Sequence, residues 1–325
     1  MPTYLPNLVL QGATGAFYDS LEAAPQVWQN HVMTVPSGAG KETYAFPGAM
    51  PVPRVLTNAR SIQGFRDMKF DVENQTHELT IVVKLEDFED DQVAGITRRF
   101  QELGEVFGTY KDQVFANLLI DNNPPPMADD PAVTWANFYT ASLGTIGSSA
   151  TFDNTGVGVT ATGLPGATTP TTQEFLNAIA NAKAAFLSSG STGLGRDDQG
   201  RAGFNSLAAT KLGVIIPPIY EHAARTAQNS AVVPDDTDGA SSNNVWANTF
   251  TVDVLPYLTS EAIMYTNALG ATRKPFIYQQ RTPLEIVIDT DRARIQQRNG
   301  VMVTVRERWV MTYGDPRRSY RETFS

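Results

Sequence analysis

A few stretches hold residue types that could do chemistry. Gly38-Ala39-Gly40-Lys41 has the small residues and the lysine of a phosphate-cradling loop, in which backbone N–H groups wrap an anion. The spacing fails, because Val35 stands where the first glycine is needed and Glu42 where Ser or Thr is needed. The acidic run Glu86, Asp87, Glu89, Asp90 and Asp91 could offer oxygens to a divalent cation. The positive end of a helix dipole explains the same carboxylates without metal. Asp235-Asp236-Thr237-Asp238-Gly239 opens like a calcium loop, but its twelfth position is Trp246 rather than a bidentate Glu. Asp238-Gly239 reads better as a turn. The histidines, His31, His77 and His222, share no local spacing. There is no cysteine, which removes thiolate nucleophiles, disulfides and zinc–thiolate sites. There is no G-x-S-x-G elbow either. No catalytic, cofactor or metal residue is expected, and the chain does not read as an enzyme.

One further cluster is electrostatic. Arg292, Arg294, Arg298, Arg306, Arg308, Arg317, Arg318 and Arg321 make the C-terminus basic within an acidic chain of net charge −9. They fit a solvated strand face, or contacts to acidic patches on neighbouring copies. Stacking on nucleic acid fits less well, since Trp309 and Tyr313 fall on the expected core face.

The element that must position everything else is a helix of about residues 90–120. Val93, Ile96, Phe100, Leu103, Phe107, Tyr110, Val114 and Leu118 recur in steps of three and four, which places them on one stripe. At 1.5 Å per residue it reaches roughly 45 Å. Asn122-Asn123-Pro124-Pro125-Pro126 stops it. Gly95, Gly104 and Gly108 each weaken it by about 1 kcal/mol relative to Ala.

Before this spine, Met1 to Ala13 shows no period and reads as an arm. Phe17, Leu21, Ala24 and Trp28 share a helical face, divided at Pro25. A stiff loop from Val35 to Pro53 follows. Met68, Phe70 and Val72 then alternate, Glu73-Asn74-Gln75-Thr76 reads as a turn, and Leu79, Ile81, Val83 and Leu85 alternate back. The pattern predicts a long two-stranded hairpin that needs a surface to lie on.

After the spine, Gly144 to Thr172 is low in charge and rich in turn residues. Thr171 and Thr172 cap a second helix with the stripe Phe175, Ile179, Ala182 and Phe186. Strands are predicted at Leu212–Ile216, Thr249–Leu255, Ala262–Tyr265, Phe276–Gln280, Leu284–Ile288 and Gly300–Tyr313, with a helix near Ile219–Asn229. The long helix needs a long surface, and the last strand supplies it. The expected class is α+β, with a second α/β domain inserted between the halves of the first.

The chain has 325 residues, enough for about two domains. Its 42% hydrophobic and 10% aromatic content is that of a folded protein. Its net negative charge argues against gripping nucleic acid by its phosphates, though not against enclosing it. The N-terminus lacks a signal-peptide pattern, and no apolar run reaches membrane-spanning length. A soluble protein made in a cytoplasm is expected.

Several stretches resemble the Mu-type bacteriophage major head subunit family. They are Ala16-Phe17 with Pro25-Gln26-Val27-Trp28, Glu42-Thr43-Tyr44-Ala45-Phe46-Pro47-Gly48 before Pro53-Arg54, and Glu89-Asp90-Asp91-Gln92. Val214-Ile215-Ile216-Pro217-Pro218, Lys274-Pro275-Phe276-Ile277-Tyr278-Gln279 and Tyr313-Gly314-Asp315-Pro316-Arg317-Arg318 extend the likeness. Each is short and none is catalytic, so their shared order carries the resemblance.

The resemblance implies the tailed-phage major capsid fold of the Hong Kong 97 type. That means an N-terminal arm (1–52), an extended β-hairpin or E-loop (53–87), and a peripheral domain (88–167 and 273–325) holding the spine. An inserted axial domain (168–272) completes it. It implies pentamers and hexamers of the chain closing into an icosahedral shell around packaged double-stranded DNA, without sequence-specific binding. Portal, scaffold, protease and decoration proteins are implied partners, with no membrane. The location implied is the virion, after assembly in the cytoplasm of a bacterial host. Subunit-interface candidates on this reading are Arg66, Lys69, Glu73, Asn74, Gln75 and Thr76 on the hairpin and Trp28 on the arm. Arg54, Arg317 and Arg318 complete the set.

Overall fold

In the computed structural model the described residues are 5–49, 66–90, 93–126, 135–145, 148–157, 159–162, 169–196, 202–234, 241–259, 263–270, 273–289 and 291–324. The chain opens with α1 (Leu5–Ala23), α2 (Trp28–His31), β1 (Val32–Pro36), β2 (Lys41–Ala49), β3 (Arg66–Glu73) and β4 (Gln75–Lys84). The short α3 (Leu85–Glu89) leads into α4 (Val93–Asp121). Then come β5 (Leu143–Thr145), β6 (Ser148–Phe152), β7 (Thr155–Val157), α5 (Thr172–Leu187), β8 (Leu212–Ile216) and α6 (Glu221–Asn229). The last part holds β9 (Val232–Pro234), β10 (Ser241–Asn243), β11 (Phe250–Val254), β12 (Ile263–Ala268) and β13 (Phe276–Ile288). It ends with α7 (Arg292–Arg298), β14 (Gly300–Tyr313) and β15 (Ser319–Thr323).

Helix α4 is the spine, 29 residues long. It ends where Asn122 takes a positive φ of 47° and its side-chain amide pairs with the backbone of Tyr139. Its stripe is buried in two halves. Ile96, Phe100 and Phe107 pack with Val301, Val303 and Val305 of β14 and with Leu10, Ala13 and Phe17 of α1. Phe115, Ala116 and Leu119 pack with Tyr278, Trp309, Met311 and Tyr313. The sheet beneath has the order β1-β13-β14-β4. Strand β13 runs unbroken where two strands were expected, because bulges after Gln280 and Thr282 absorb the break in alternation.

Two expectations fail here. Residues 5–13, read as part of an arm, are instead the first half of α1, whose second half is the expected helix at Phe17 and Leu21; α1 lies along α4. Gly104 and Gly108 allow that closeness. A Cβ on Gly104 would lie closer than 3.0 Å to the Phe17 carbonyl oxygen, and one on Gly108 closer than that to the Ala24 Cβ. Two of the three glycines read as weaknesses of the spine, Gly104 and Gly108, are its contact face for α1.

The hairpin is also different. β3 pairs antiparallel with β2, from Lys41↔Glu73 to Ala49↔Arg66, while β4 pairs with β14. Glu73 to Thr76 is therefore no turn. Asn74 alone separates β3 from β4, too little chain for a reversal, and the strand passes straight through. Alternation reports which face a residue takes and not which strand it pairs with. The true ribbon is β2–β3.

The second layer is the five-stranded sheet β11-β8-β12-β15-β7. All of β8 is buried, as its unbroken apolar run requires. Helix α5 begins at the expected Thr171 cap, which the structure completes as a capping box, Thr171 accepting from the Glu174 amide and Glu174 from the Thr171 amide. Strand β15 departs from the division at residue 273. It pairs with β12 and β7 inside this second sheet, so the chain returns to the inserted unit at its end.

Candidate functional site

Two of the stretches that could do chemistry have partners from within the chain. Glu42 Oε1 accepts from the Gly38 and Ala39 amides at 2.8 and 2.9 Å, so the loop that resembles a phosphate cradle already holds a carboxylate. Those amides and Ser37 hold the Glu42 carboxyl below its ordinary range. In the acidic run, Asp87 pairs with Arg99 at 2.9 Å. Among the described residues no group of three His, Asp or Glu could hold a metal. The calcium-like loop 235–239 lies outside the described residues. His222 is exposed on α6, and His77 stacks on Trp309 at 4.1 Å.

His31 comes nearest to a catalytic arrangement. Its Nε2 faces Asp253 at 2.9 Å, and Asn267 Nδ2 lies 3.0 Å from its Nδ1. Asn267 Oδ1 accepts in turn from Ser319. The imidazole is fully buried, and burial holds its pKa below the ordinary value despite the Asp253 hydrogen bond. A neutral ring donating to Asp253 and accepting from Asn267 satisfies every partner. It ties α2 to β11 and β12 and offers no nucleophile a path to solvent.

A second knot joins spine, sheet and N-terminus. Lys111 Nζ donates to Glu307 Oε1 at 2.6 Å and sits 5.2–5.9 Å from the rings of Trp28, Tyr278 and Trp309. Asp112, one residue on, accepts from the Trp28 and Val27 amides at 2.8 and 3.2 Å and so starts α2. Burial raises the Asp112 carboxyl, with those amides opposing it.

The interface candidates divide sharply. Lys69, Glu73, Gln75 and Thr76 are exposed. Arg66 lies on β3, and Arg54 falls outside the described residues. The side chains of the remaining candidates are engaged inside the chain. Trp28 is 4% exposed and packs on Tyr278 with ring centroids 4.5 Å apart. Asn74 is buried and bonded to Ser37, Ala39 and Gln279. Arg317 is gripped by Asp315 at 3.0 Å and lies over Phe204, while Arg318 donates to the Arg273 carbonyl. Their basic sequence signal was the same as that of a surface patch; the buried Asp315 makes the difference. Other arginines of the C-terminal set pair locally, Arg306 with Glu285 and Arg294 with Asp289 and Asp291.

Sequence reading missed a groove. Thr76, His77, Glu78 and Leu79 of β4 and Val106, Phe107 and Tyr110 of α4 line an open depression of about 440 Å³. Val106 is 59% exposed. The available signal was its apolar side chain among the polar residues flanking the stripe. β4 is also an edge strand, its outer side unpaired among the described residues.

Residues 72–321 match the phage capsid protein family, which covers the spine and most of both sheets. The chain belongs to that family. Residues 7–130 also match the Mu-like prophage major head subunit gpT. Over 113 residues the chain is 30% identical to the major capsid protein of Escherichia phage Mu, a stretch covering 35% of this chain and 37% of that protein. The matched segment is thus about a third of the curated relative. The procapsid of bacteriophage JBD30 superposes with a TM-score of 0.52 at 16% identity, over 100% of this chain and 76% of that one. A virus-like particle from Pyrococcus furiosus does so at 0.55 and 10% identity, over 96% and 98%. At such identities these likenesses speak for fold, and the fold is the Hong Kong 97-type α+β capsid fold. No helix among the described residues is long and apolar enough to cross a membrane.

Proposed function

We propose that this chain is the major capsid subunit of a tailed-phage head. Copies join as pentamers and hexamers and close into an icosahedral shell around double-stranded DNA, assembling in the host cytoplasm. The observation that carries this is the family match across 72–321. The ribbon supports it. β2–β3 is two-stranded, and such ribbons are marginal in water without a surface to lie on. The segment 50–65 between its strands carries Arg54 and Arg60 and no carboxylate, with Val52, Val55, Leu56, Ile62 and Phe65 as apolar residues.

The groove beside β4 offers matching chemistry on a second copy. Leu79, Phe107 and Tyr110 give it an apolar floor, and exposed Glu78 gives it a negative charge. Contacts of ribbon on groove, each copy giving one and receiving one, are heterologous, the kind that forms a ring when the rotation between copies closes. The net charge of −9 keeps the shell wall from trapping the genome it encloses.

Negative-stain electron microscopy with sedimentation of the purified chain tests this reading. Closed shells, or rings of five and six, are expected, either alone or on co-expression with the neighbouring head genes. A chain that stays monomeric under all of these conditions refutes it.

A further inference from the structure

We propose that Asn74, Gln279 and Glu42 form a latch that fixes the direction in which the β2–β3 ribbon leaves the sheet. The inference concerns a single chain and stands whether or not the shell reading holds. Both ends of the ribbon depart from opposite edges of the four-stranded sheet, β2 from β1 and β3 into β4. Such a ribbon has few ways to keep one angle, and the polar groups at its root supply them.

On one side, β1 reaches β2 through residues 37–40. Ser37 N is tied to the Gln280 carbonyl at 2.8 Å, and Glu42 reaches back to gather the Gly38 and Ala39 amides. That carboxylate fixes the bend. On the other side, Asn74 is the single residue between β3 and β4. Its backbone N–H donates to the Gly40 carbonyl at 3.0 Å, and its Nδ2 donates to Ser37 Oγ and the Ala39 carbonyl, both at 2.9 Å. The two departing strands are thereby fastened to each other at one point.

Gln279 fastens that point to the sheet. It lies on β13, fully buried, and its Nε2 donates to Asn74 Oδ1 at 2.8 Å while its Oε1 accepts from Tyr44 Oη at 2.6 Å. Buried amides of this kind are costly unless paired, so the set holds together in one geometry. Beside it, Phe70 and Val72 are buried and Tyr44 stacks on Phe70 at 5.4 Å. Apolar contact is non-directional. It acts as the fulcrum that keeps the ribbon attached, while the hydrogen bonds choose its angle.

The chain has no cysteine, so paired spin labels can be placed without background. Lys69→Cys on exposed β3 and Val287→Cys on β13 report the angle of ribbon to sheet. Labelled full-length chain is diluted into an excess of unlabelled chain, so that intramolecular distances dominate in any assembly state. The parent should give one narrow distance distribution by double electron–electron resonance. Asn74→Ala and Glu42→Ala should lose the single peak to a broad one, with circular dichroism unchanged. Thr43→Val removes a ribbon hydrogen bond to Asp71 away from the root and should stay narrow. Narrow distributions in the folded Asn74→Ala and Glu42→Ala chains overturn the latch, as does equal broadening in Thr43→Val. If Asn74→Ala does not fold, Glu42→Ala at the start of β2 decides alone.

Discussion

Alanine in place of glycine should have opposite signs on the two faces of the α1–α4 pair. In a helix interior, Gly to Ala gains about 1 kcal/mol from propensity alone. At Gly104 the new Cβ would come closer than 3.0 Å to the Phe17 carbonyl oxygen and to 3.0 Å from Ser20 Cβ. Carbon contacts prefer about 3.5–4.0 Å, so α1 must retreat by about 1 Å as a backbone. That retreat loosens Leu10, Ala13 and Phe17, all at most 1% exposed. Overpacking of this kind costs about 1–3 kcal/mol, occasionally more, and outweighs the propensity gain. Gly104→Ala and Gly108→Ala should each lose up to about 2 kcal/mol net. Gly12 and Gly15 on α1 have nothing within 4 Å of an added Cβ. There the same change should gain about 0.5–1 kcal/mol. Urea unfolding reads the difference as a shift in midpoint at constant slope. A Gly104→Ala chain as stable as Gly12→Ala would refute the close packing of α1 on the spine.

Glu307→Gln should cost about 3–5 kcal/mol, because it leaves the Lys111 ammonium, 18% exposed, without its carboxylate. Thermal melts check it, and a loss below about 1 kcal/mol would mean the aromatic cage alone holds the charge. Acid should weaken the fold well before carboxylates titrate. Burial keeps the His31 imidazole, and less completely that of His77, below the ordinary 6.5. Unfolded histidine takes up a proton near that value while the folded ring does not. Their contribution is therefore whole above pH 6.5 and lost progressively below it. Melts from pH 7.5 to 5 should show the slope, and His31→Gln should flatten it; an unchanged slope in that variant and in His77→Gln would assign the loss to other groups.

Local sequence determined much of the frame. The apolar stripe and the proline run gave α4, the Thr171–Thr172 cap gave the start of α5, and continuous or alternating apolar residues gave β8 and β14. Each of these signals lies within the segment it describes, because propensity, capping and periodicity act over a few residues. Partnership does not. The alternation over 68–72 and 79–85 fitted a hairpin equally well, and only the fold shows β3 turned to β2 and β4 to β14. The candidate site followed the same division. Exposed Lys69, Glu73, Gln75 and Thr76 were legible as surface residues, while the groove at Val106 exists only where β4 meets α4. Trp28, Asn74, Arg317 and Arg318 read as outward residues until Tyr278, Gln279, Asp315 and the Arg273 carbonyl were brought against them. Gly104 and Gly108 show the reason most plainly. In isolation they weaken a helix, and only the approach of α1, about ninety residues away in sequence, makes them the residues that fit.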